Sequence, residues 1–378
     1  MRIAYIISSC SSGGAELLVR RLCTALMSAE VEIQLWVTCR AKDSYENCPK
    51  EILDFEADYV SDMEDRGLTV RFLDKRKNGD RLTACHQLRS YYKDFHPDIV
   101  HAHSEICALY MAVALTGINC VRIQTIHSSK IFYPPLIKYY LSKRVNEFVS
   151  ISEEVSFNMI GASIPANKIT LINNGIELER YKYPERNFER HPVKIIAVGR
   201  LAKEKDYPYL LQAVKLAFKR MSETNIELPN LDIVGTGALY DEIQKLIREE
   251  QLENHVSLLG LRKDIPSLLK QADIYVMSSS FEGLSLSLIE AAACGLPIIA
   301  TNVGSNCKLV QPGVNGELIE HGDVTSFSDA VIAIAADAAL RIKYSKKSVE
   351  ISVGYDIRNT AKQHMELYTK SINKKIKR

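Results

Sequence analysis

Residues 273–303 read DIYVMSSSFEGLSLSLIEAAACGLPIIATNV. The run begins on a short β-branched, apolar stretch, DIYVMSSS, and passes through the loop Phe281-Glu282-Gly283-Leu284-Ser285. It continues as an apolar segment that stops at Cys294-Gly295-Leu296-Pro297, and PIIATNV follows as a second β-branched run. This is one strand, loop, helix and strand of a parallel sheet. Ligands of such sheets gather at the carboxyl ends of the strands, where Glu282 falls. The backbone N–H groups of Gly283, Leu284 and Ser285 open the helix, and a helix start favours an anion. Glu290 lies one to two turns further on, among Leu288, Ile289 and Ala291–Ala293, where an acid needs a partner. Either carboxylate alone fits an ordinary solvated helix start. Two of them flanking an anion cradle suit a ligand both phosphorylated and rich in hydroxyls, such as a nucleotide sugar.

The chain around this unit has 378 residues, enough for two domains with a core each. Hydrophobic residues make up 46% and charged residues 25%, the balance of a globular protein. A net charge of +2 gives no electrostatic support to a nucleic-acid partner. The nine cysteines show neither a CxxC pair nor a Cys/His ligand spacing, and Cys23, Cys107 and Cys294 read as small core residues of a reducing compartment. RIAYIISS at the start reads as a first strand and not as a signal peptide, and no apolar run is long enough to span a bilayer. The expected location is the cytoplasm.

The amino-terminal half alternates RIAYIIS, EIQLWVT, LTVRFLD, DIVHAH, RIQTIHS, EFVSIS and ITLINNG with helical stretches, among them AELLVRRLCTALMSA, DRLTACHQLRSYYKDF and EICALYMAVALTG. That is the pattern of a doubly wound α/β domain. The texture changes at residues 178–192, ELERYKYPERNFERHP, which reads as an interdomain linker. A second α/β series starts at KIIAVGR and runs through LDIVGTG and VSLLG to the quoted unit. After Gly354-Tyr355-Asp356 the chain ends in a long polar helix.

Other candidate residues sit at strand ends. Ser12-Gly13-Gly14-Ala15-Glu16 joins the first strand to the first helix, and its glycines allow close approach of a ligand. It lacks the third glycine and the downstream acid of a dinucleotide fingerprint, which counts against an NAD-linked oxidoreductase. Arg200 and Lys205, five positions apart beyond VGR, could hold the two phosphates of one diphosphate, the alternative being a solvated basic loop; Lys203 fits plain surface charge better. Gly235 and Gly237 make a further glycine turn. His127 ends a strand before two serines, and His101 and His103 end another. Residues 131–144, IFYPPLIKYYLSKR, mix aromatics and cations and fit either an amphipathic helix packed on a core or one lying on anionic lipid, to which the KKIKR tail could add charge.

Taken together, Gly13-Gly14-Ala15-Glu16, Gly199-Arg200-Leu201 followed by Glu204-Lys205-Asp206, Gly235-Thr236-Gly237, and EGLSLSLIEAAACGLPIIAT resemble the retaining glycosyltransferases of family 4 over essentially the whole chain. The resemblance implies an α/β fold of the GT-B type, two doubly wound Rossmann-like domains facing a central cleft. Residues 1–185 would form an acceptor-binding domain, 186–355 a nucleotide-sugar-binding domain, and 356–378 a helix crossing back to the first. Glu282 would bind the donor sugar's hydroxyls, with Gly283, Leu284 and Ser285 near the diphosphate and Glu290 on the ribose. Arg200 and Lys205 would neutralise the leaving diphosphate. His127 would reach toward the transferred sugar, and Gly13, Gly14 and Gly235 would line the donor site. No metal and no cofactor is implied. The partners would be a nucleotide diphosphate sugar, with UDP the favoured carrier, and a glycan or polyprenyl-linked acceptor at the inner face of the cytoplasmic membrane. A GT-B sugar-nucleotide epimerase and a silent nucleotide-sugar-binding subunit are the alternatives. Two departures from the family stand out. Val303-Gly304-Ser305-Asn306-Cys307-Lys308 places a lysine where an acid is common, and Asp206 replaces a small residue after Lys205.

Overall fold

The structure, a computed structural model, describes residues 1–27, 31–44, 48–76, 79–182, 188 and 192–376. The chain divides into two compact units, Met1–Gly175 together with Ile357–Arg378, and Ile176–Asp356.

The first unit is built on seven strands, each of which the sequence predicts: β1 (Arg2–Ile7), β2 (Glu32–Val37), β3 (Thr69–Phe72), β4 (Ile99–Ala102), β5 (Val121–Ile126), β6 (Glu147–Ser150) and β7 (Ile169–Leu171). They pair in the order β3-β2-β1-β4-β5-β6-β7, every pair parallel. In β4 and β6 all four residues are buried, as expected of parallel strands covered by helices on both faces. Ser104 and Ser152 accept from Cys107 N and Val155 N, and so start the helices Glu105–Ala114 and Glu153–Gly161 directly after β4 and β6. The carboxyl-terminal helix Ile357–Ile376 belongs to this unit, packed on the helix Gly14–Met27 and on β5. Read as polar, it buries a stripe of Ile357, Ala361, His364, Leu367 and Tyr368. The Tyr368 hydroxyl bonds both to the Tyr5 hydroxyl at 2.8 Å and to His101 Nδ1 at 2.7 Å.

The second unit has six parallel strands: β8 (Lys194–Val198), β9 (Asn230–Val234), β10 (Val256–Leu258), β11 (Ile274–Met277), β12 (Ile298–Thr301) and β13 (Gly316–Ile319). Their order is β10-β9-β8-β11-β12-β13. β13 goes unpredicted, because GELI carries only two apolar residues and follows a Gly-Val-Asn turn. Its place is fixed by pairing with β12, where a side chain on Gly316 would collide with the Ile298 carbonyl.

The stretch 178–192 is not a plain linker. Residues 183–187 and 189–191 lie outside the described residues. Those on either side are built into the second unit: Leu178–Tyr181 is a helical turn with Tyr181 buried, and the buried Phe188 accepts a bond through its carbonyl from Arg341 Nη2 at 2.8 Å. The division between units falls at Gly175 and Ile176, ahead of the charged stretch. There Ile176 bridges Asp356 and donates its N–H to the Tyr355 carbonyl at 2.9 Å. Backbone pairing, and not composition, sets the boundary.

Tyr368→Phe strands the His101 ring nitrogen and the Tyr5 hydroxyl in a dry interior. It is expected to cost about 1–3 kcal/mol and to lower the unfolding midpoint of the first unit; near-UV circular dichroism during a urea titration would read the change.

Candidate active site

In the second unit the crossovers leave β8 and β11 in opposite directions, so the loops after these two neighbours open a crevice at the carboxyl edge. The loop after β8 carries Gly199 to Asp206. The loop after β11 carries Ser278 to Ser285. Several bonds lace them together. Ser278 Oγ donates to the Lys205 carbonyl at 2.8 Å, and Ser280 N donates to the Glu204 carbonyl at 2.8 Å. The end of β12 joins in, with Thr301 Oγ1 donating to the Ser279 carbonyl at 2.6 Å and Ser305 N to the Gly283 carbonyl at 3.1 Å. Gly304 takes a left-handed φ of 59°, and a Cβ there would lie 2.3 Å from the Glu282 carbonyl oxygen. Only glycine permits that approach.

This lacing brings Lys205 Nζ onto Glu282 Oε1, and Ser279 Oγ donates to the same oxygen at 2.7 Å. The two side chains keep 19% and 12% of their accessible surface. Both bonds to Glu282 converge on Oε1, and among the described residues Oε2 takes none. A carboxylate so fixed presents one oxygen to an incoming hydroxyl. The helix Leu286–Ala293 begins beside it with no side-chain cap from Ser285 and no acid in its first turn, so the positive end of its dipole is offset by neither. Tyr275, fully buried in β11, donates to Ser287 Oγ at 2.8 Å and ties the sheet to this helix start. Glu290 is 5% exposed and accepts from the Tyr181 hydroxyl at 2.9 Å.

Arg200 stands apart from Lys205. Its guanidinium is exposed and pairs with Glu204, so the two cations expected to act together have separate partners. Gly235, at φ 149°, is explained by packing: a Cβ there would lie 1.9 Å from the Gly199 carbonyl oxygen. The second glycine turn is the bed on which the Gly199–Leu201 turn lies, Leu201 N donating to the Thr236 carbonyl at 2.9 Å. Asp206, a departure from the family, has a clear task. It sits at φ 44°, a conformation Asp tolerates, caps the helix Tyr207–Glu223 through Tyr209 N at 3.3 Å, and pairs with His321 Nε2 at 2.8 Å. In the other departure Asn306 is fully buried and braces the Thr301 carbonyl at 2.9 Å, while Lys308 is exposed.

The remaining candidates lie in the first unit, at the carboxyl edge of its own sheet. Gly14 begins the first helix, and the carboxylate of Glu16 lies against Gly13, so this helix start is covered by an acid of its own turn. His127, beyond β5, bonds through Nε2 to His103 Nδ1 at 3.0 Å with the rings stacked. His101 bridges Tyr368 and Thr125 Oγ1, the latter at 2.8 Å, and its ring lies 4.4 Å from that of His103. Burial, reinforced by the neighbouring histidines, holds His101 and His103 well below the usual imidazole range. Burial pushes His127 down to about 3 and His364 to about 4. All four rings are therefore neutral at pH 7, which suits His127 to hydrogen bonding and not to taking a proton. His103 Nε2 has no partner among the described residues. A bare ring nitrogen is less costly than a stranded N–H, so the arrangement favours His103 donating to His127, which then carries its proton on Nδ1.

Ser279, Thr301, Gly304 and Tyr181 support the candidate carboxylates or their loop in ways the sequence does not reveal. The first is hidden in a serine run, Thr301 is the last residue of the motif with nothing to mark it, Gly304 lies just beyond the motif, and Tyr181 falls in the apparent linker.

Segment 131–144 is not a single regular helix, and it packs on the core along one side only. Pro134–Leu136 makes a helical turn, Ile137–Leu141 a π-helical turn and Ser142–Arg144 a last helical turn. Ile137 and Leu141 are its buried anchors, and Phe132, Tyr133 and Tyr139 are exposed by 43%, 58% and 64%. No helix among the described residues is long and apolar enough to cross a membrane.

Because the folded histidines titrate below 6.5, the unfolded chain binds protons first on acidification, and stability is lost as pH falls from about 6.5 toward 3–4. His364→Asn keeps a donor for the Thr360 carbonyl and removes one such group. The fall in unfolding midpoint between pH 6.5 and 4, followed by thermal denaturation, should be shallower in this variant by about one proton.

The matches to known proteins cover both units. A family model described as Glycosyltransferase Family 4 matches residues 12–180, and one described as Glycosyl transferases group 1 matches residues 182–350. The chain is 29% identical over 296 residues to the UDP-Gal:alpha-D-GlcNAc-diphosphoundecaprenol alpha-1,3-galactosyltransferase of Escherichia coli, covering 72% of this chain and 75% of that one. It is 25% identical over 341 residues to the lipopolysaccharide 1,6-galactosyltransferase of Escherichia coli K12, covering 86% and 87%. Its fold superposes on the Anabaena Alr3699/HepE protein, crystallised with UDP-glucose, with a TM-score of 0.80 at 18% identity, over 98% of this chain and all of that one.

Proposed function

We propose, for a chain that belongs to the GT-B glycosyltransferases of the family 4 type, that it moves a hexose or N-acetylhexosamine from a UDP-sugar to a hydroxyl of a glycan or lipid-linked glycan, with retention at the anomeric carbon. The observation that carries this reading is the carboxylate of Glu282, immobilised through Oε1 by Lys205 and Ser279 beside the uncapped start of the helix Leu286–Ala293.

Glu282 Oε2 accepts hydroxyls of the donor sugar. The diphosphate lies at the helix start, near the N–H groups of Gly283, Leu284 and Ser285, and Glu290 takes the ribose. Lys205, and Arg200 once released from Glu204, offset the charge that grows on the departing diphosphate. Preorganised groups of this kind act strongly in a site shielded from water. The bond from the anomeric carbon to the phosphate oxygen breaks, the acceptor oxygen bonds that carbon on the same face, and the acceptor's proton passes to the departing phosphate. His127, Gly13 and Gly14 belong to the unit that takes the acceptor, with His127 as a hydrogen-bond donor toward the transferred sugar.

On the acceptor side, residues 130–144 contain Lys130, Lys138, Lys143 and Arg144 and no acid, beside three exposed aromatic rings. Such a surface suits anionic lipid, and an Escherichia coli relative acts on a diphosphoundecaprenol-linked sugar. The proposed setting is the inner face of the cytoplasmic membrane.

Glu282→Ala is expected to lower kcat/KM for transfer by about 10²–10³-fold, the loss of one or two charge-assisted bonds, with the fold retained by circular dichroism. Turnover within a few-fold of the parent would sink the assignment. The coupling constant of the product's anomeric proton reads retention, and thermal shifts with UDP-, GDP- and ADP-sugars read the carrier. Replacing Phe132, Tyr133 and Tyr139 by serine should release the protein from vesicles of phosphatidylglycerol in a sedimentation assay, while vesicles of phosphatidylcholine alone should bind neither form.

A further inference from the structure

We propose that Tyr181 is the positioning residue of the ribose site, holding Glu290 in the one orientation from which it can read the ribose hydroxyls. The inference rests on the assignment of Glu290 to the ribose.

Glu290 projects from the interior of the helix Leu286–Ala293, where all its helical neighbours from Leu288 to Ala293 are buried. A carboxylate at 5% exposure in such surroundings is costly unless a donor meets it. A donor comes from 109 residues away in sequence: the Tyr181 hydroxyl donates a hydrogen bond to Glu290 Oε1 at 2.9 Å. Tyr181 is itself 2% exposed. It ends the short helical turn Leu178–Tyr181, which packs against the helices Ile265–Gln271 and Leu286–Ala293.

A phenol has two rotatable bonds and a rigid ring. Once the ring is buried its hydroxyl is a fixed point, and a bond from that point sets the rotation of the carboxylate about its last carbon–carbon bond. Recognition of a vicinal diol by one carboxylate depends on that rotation, since the two hydroxyls need oxygens in one plane. The arrangement repeats the logic at Glu282, where one oxygen is held by the protein and the carboxylate plane is thereby fixed. It also explains why a segment with the composition of a linker is tied down at its start. Tyr181 acts through Glu290 and does not itself meet the substrate.

The test compares the binding of UDP and 2′,3′-dideoxy-UDP by calorimetry in the parent, Tyr181→Phe, Glu290→Gln and the double variant. The parent should prefer UDP. Tyr181→Phe should weaken UDP by about tenfold and leave dideoxy-UDP nearly unchanged, so that most of the preference disappears, and the donor KM should rise by more than kcat falls. In the Glu290→Gln background the Phe substitution should add little. A parent-like preference in Tyr181→Phe, or equal weakening of both nucleotides, would overturn the positioning role while a loss of preference in Glu290→Gln leaves the ribose assignment standing. Should Glu290→Gln keep the preference, the ribose assignment itself fails. The cycle also guards against a folding defect, because a general loss of packing would lower both nucleotides alike in either background.

Discussion

The donor-side loops are organised around a constraint of electrostatics: neither Lys205 nor Glu282 could be withdrawn from water by itself. Burying a lone charge costs several kcal/mol, and removing one member of such a pair commonly costs about 3–5 kcal/mol because the other is left behind. The pair is therefore stable only if two loops, 77 residues apart, are held in register. Ser278 and Ser280 achieve this by bonding to the carbonyls of Lys205 and Glu204, and Thr301 and Gly304 support the Glu282 loop from the next strand. Only a topology in which β8 and β11 are neighbours puts the two loops side by side.

Both units use that topology, and their helix starts differ in electrostatics. In the second unit the helix after β11 starts bare, with no cap and no acid in its first turn. In the first unit the helices after β4 and β6 start with a serine cap and with Glu105 or Glu153 at the first position, and the first helix has Glu16 against Gly13. An acid at a helix start satisfies the dipole and repels an anionic ligand. Four neutral histidines line the interior beneath that edge, adding hydrogen-bonding groups without charge. On the proposed reading, a diphosphate would find its favourable field at the helix start of the second unit, and the polar, mostly neutral groups of the first would suit a hydroxyl-bearing acceptor.

How much of this the sequence displays depends on distance along the chain. The parallel strands are legible because burial on both faces writes each as a continuous β-branched run, and the loop with Glu282 and the helix with Glu290 are legible because their parts are consecutive. β13 is not, since GELI becomes a strand only through its pairing with β12. The long-range partners are also invisible. Nothing near Glu290 announces Tyr181, and nothing in a run of three serines distinguishes Ser279, whose hydroxyl meets Glu282, from Ser278 and Ser280, whose hydroxyls meet backbone. Gly235 illustrates the converse: a glycine that suggests a ligand is required by the neighbouring turn. The aromatic segment 131–144 is ambiguous in sequence because exposed and buried rings look alike there, and the π-helical turn that carries the exposed Tyr139 has no simple period.

The Lys205–Glu282 pair also bears on how a site can wait for its substrate. If Lys205 meets a diphosphate and Glu282 meets sugar hydroxyls, as proposed, either charge by itself would be costly in this half-buried crevice. Paired, each holds the other in place and each covers the other's desolvation. On the reading of this chain as a transferase, donor binding replaces one ion pair with two better-matched contacts, phosphate for Lys205 and hydroxyls for Glu282. Ser279 remains on Oε1 throughout, so the carboxylate keeps its plane while the lysine turns to the phosphate. The exchange is close to neutral in charge, and the binding energy of the donor is left for the step in which negative charge moves onto the departing diphosphate.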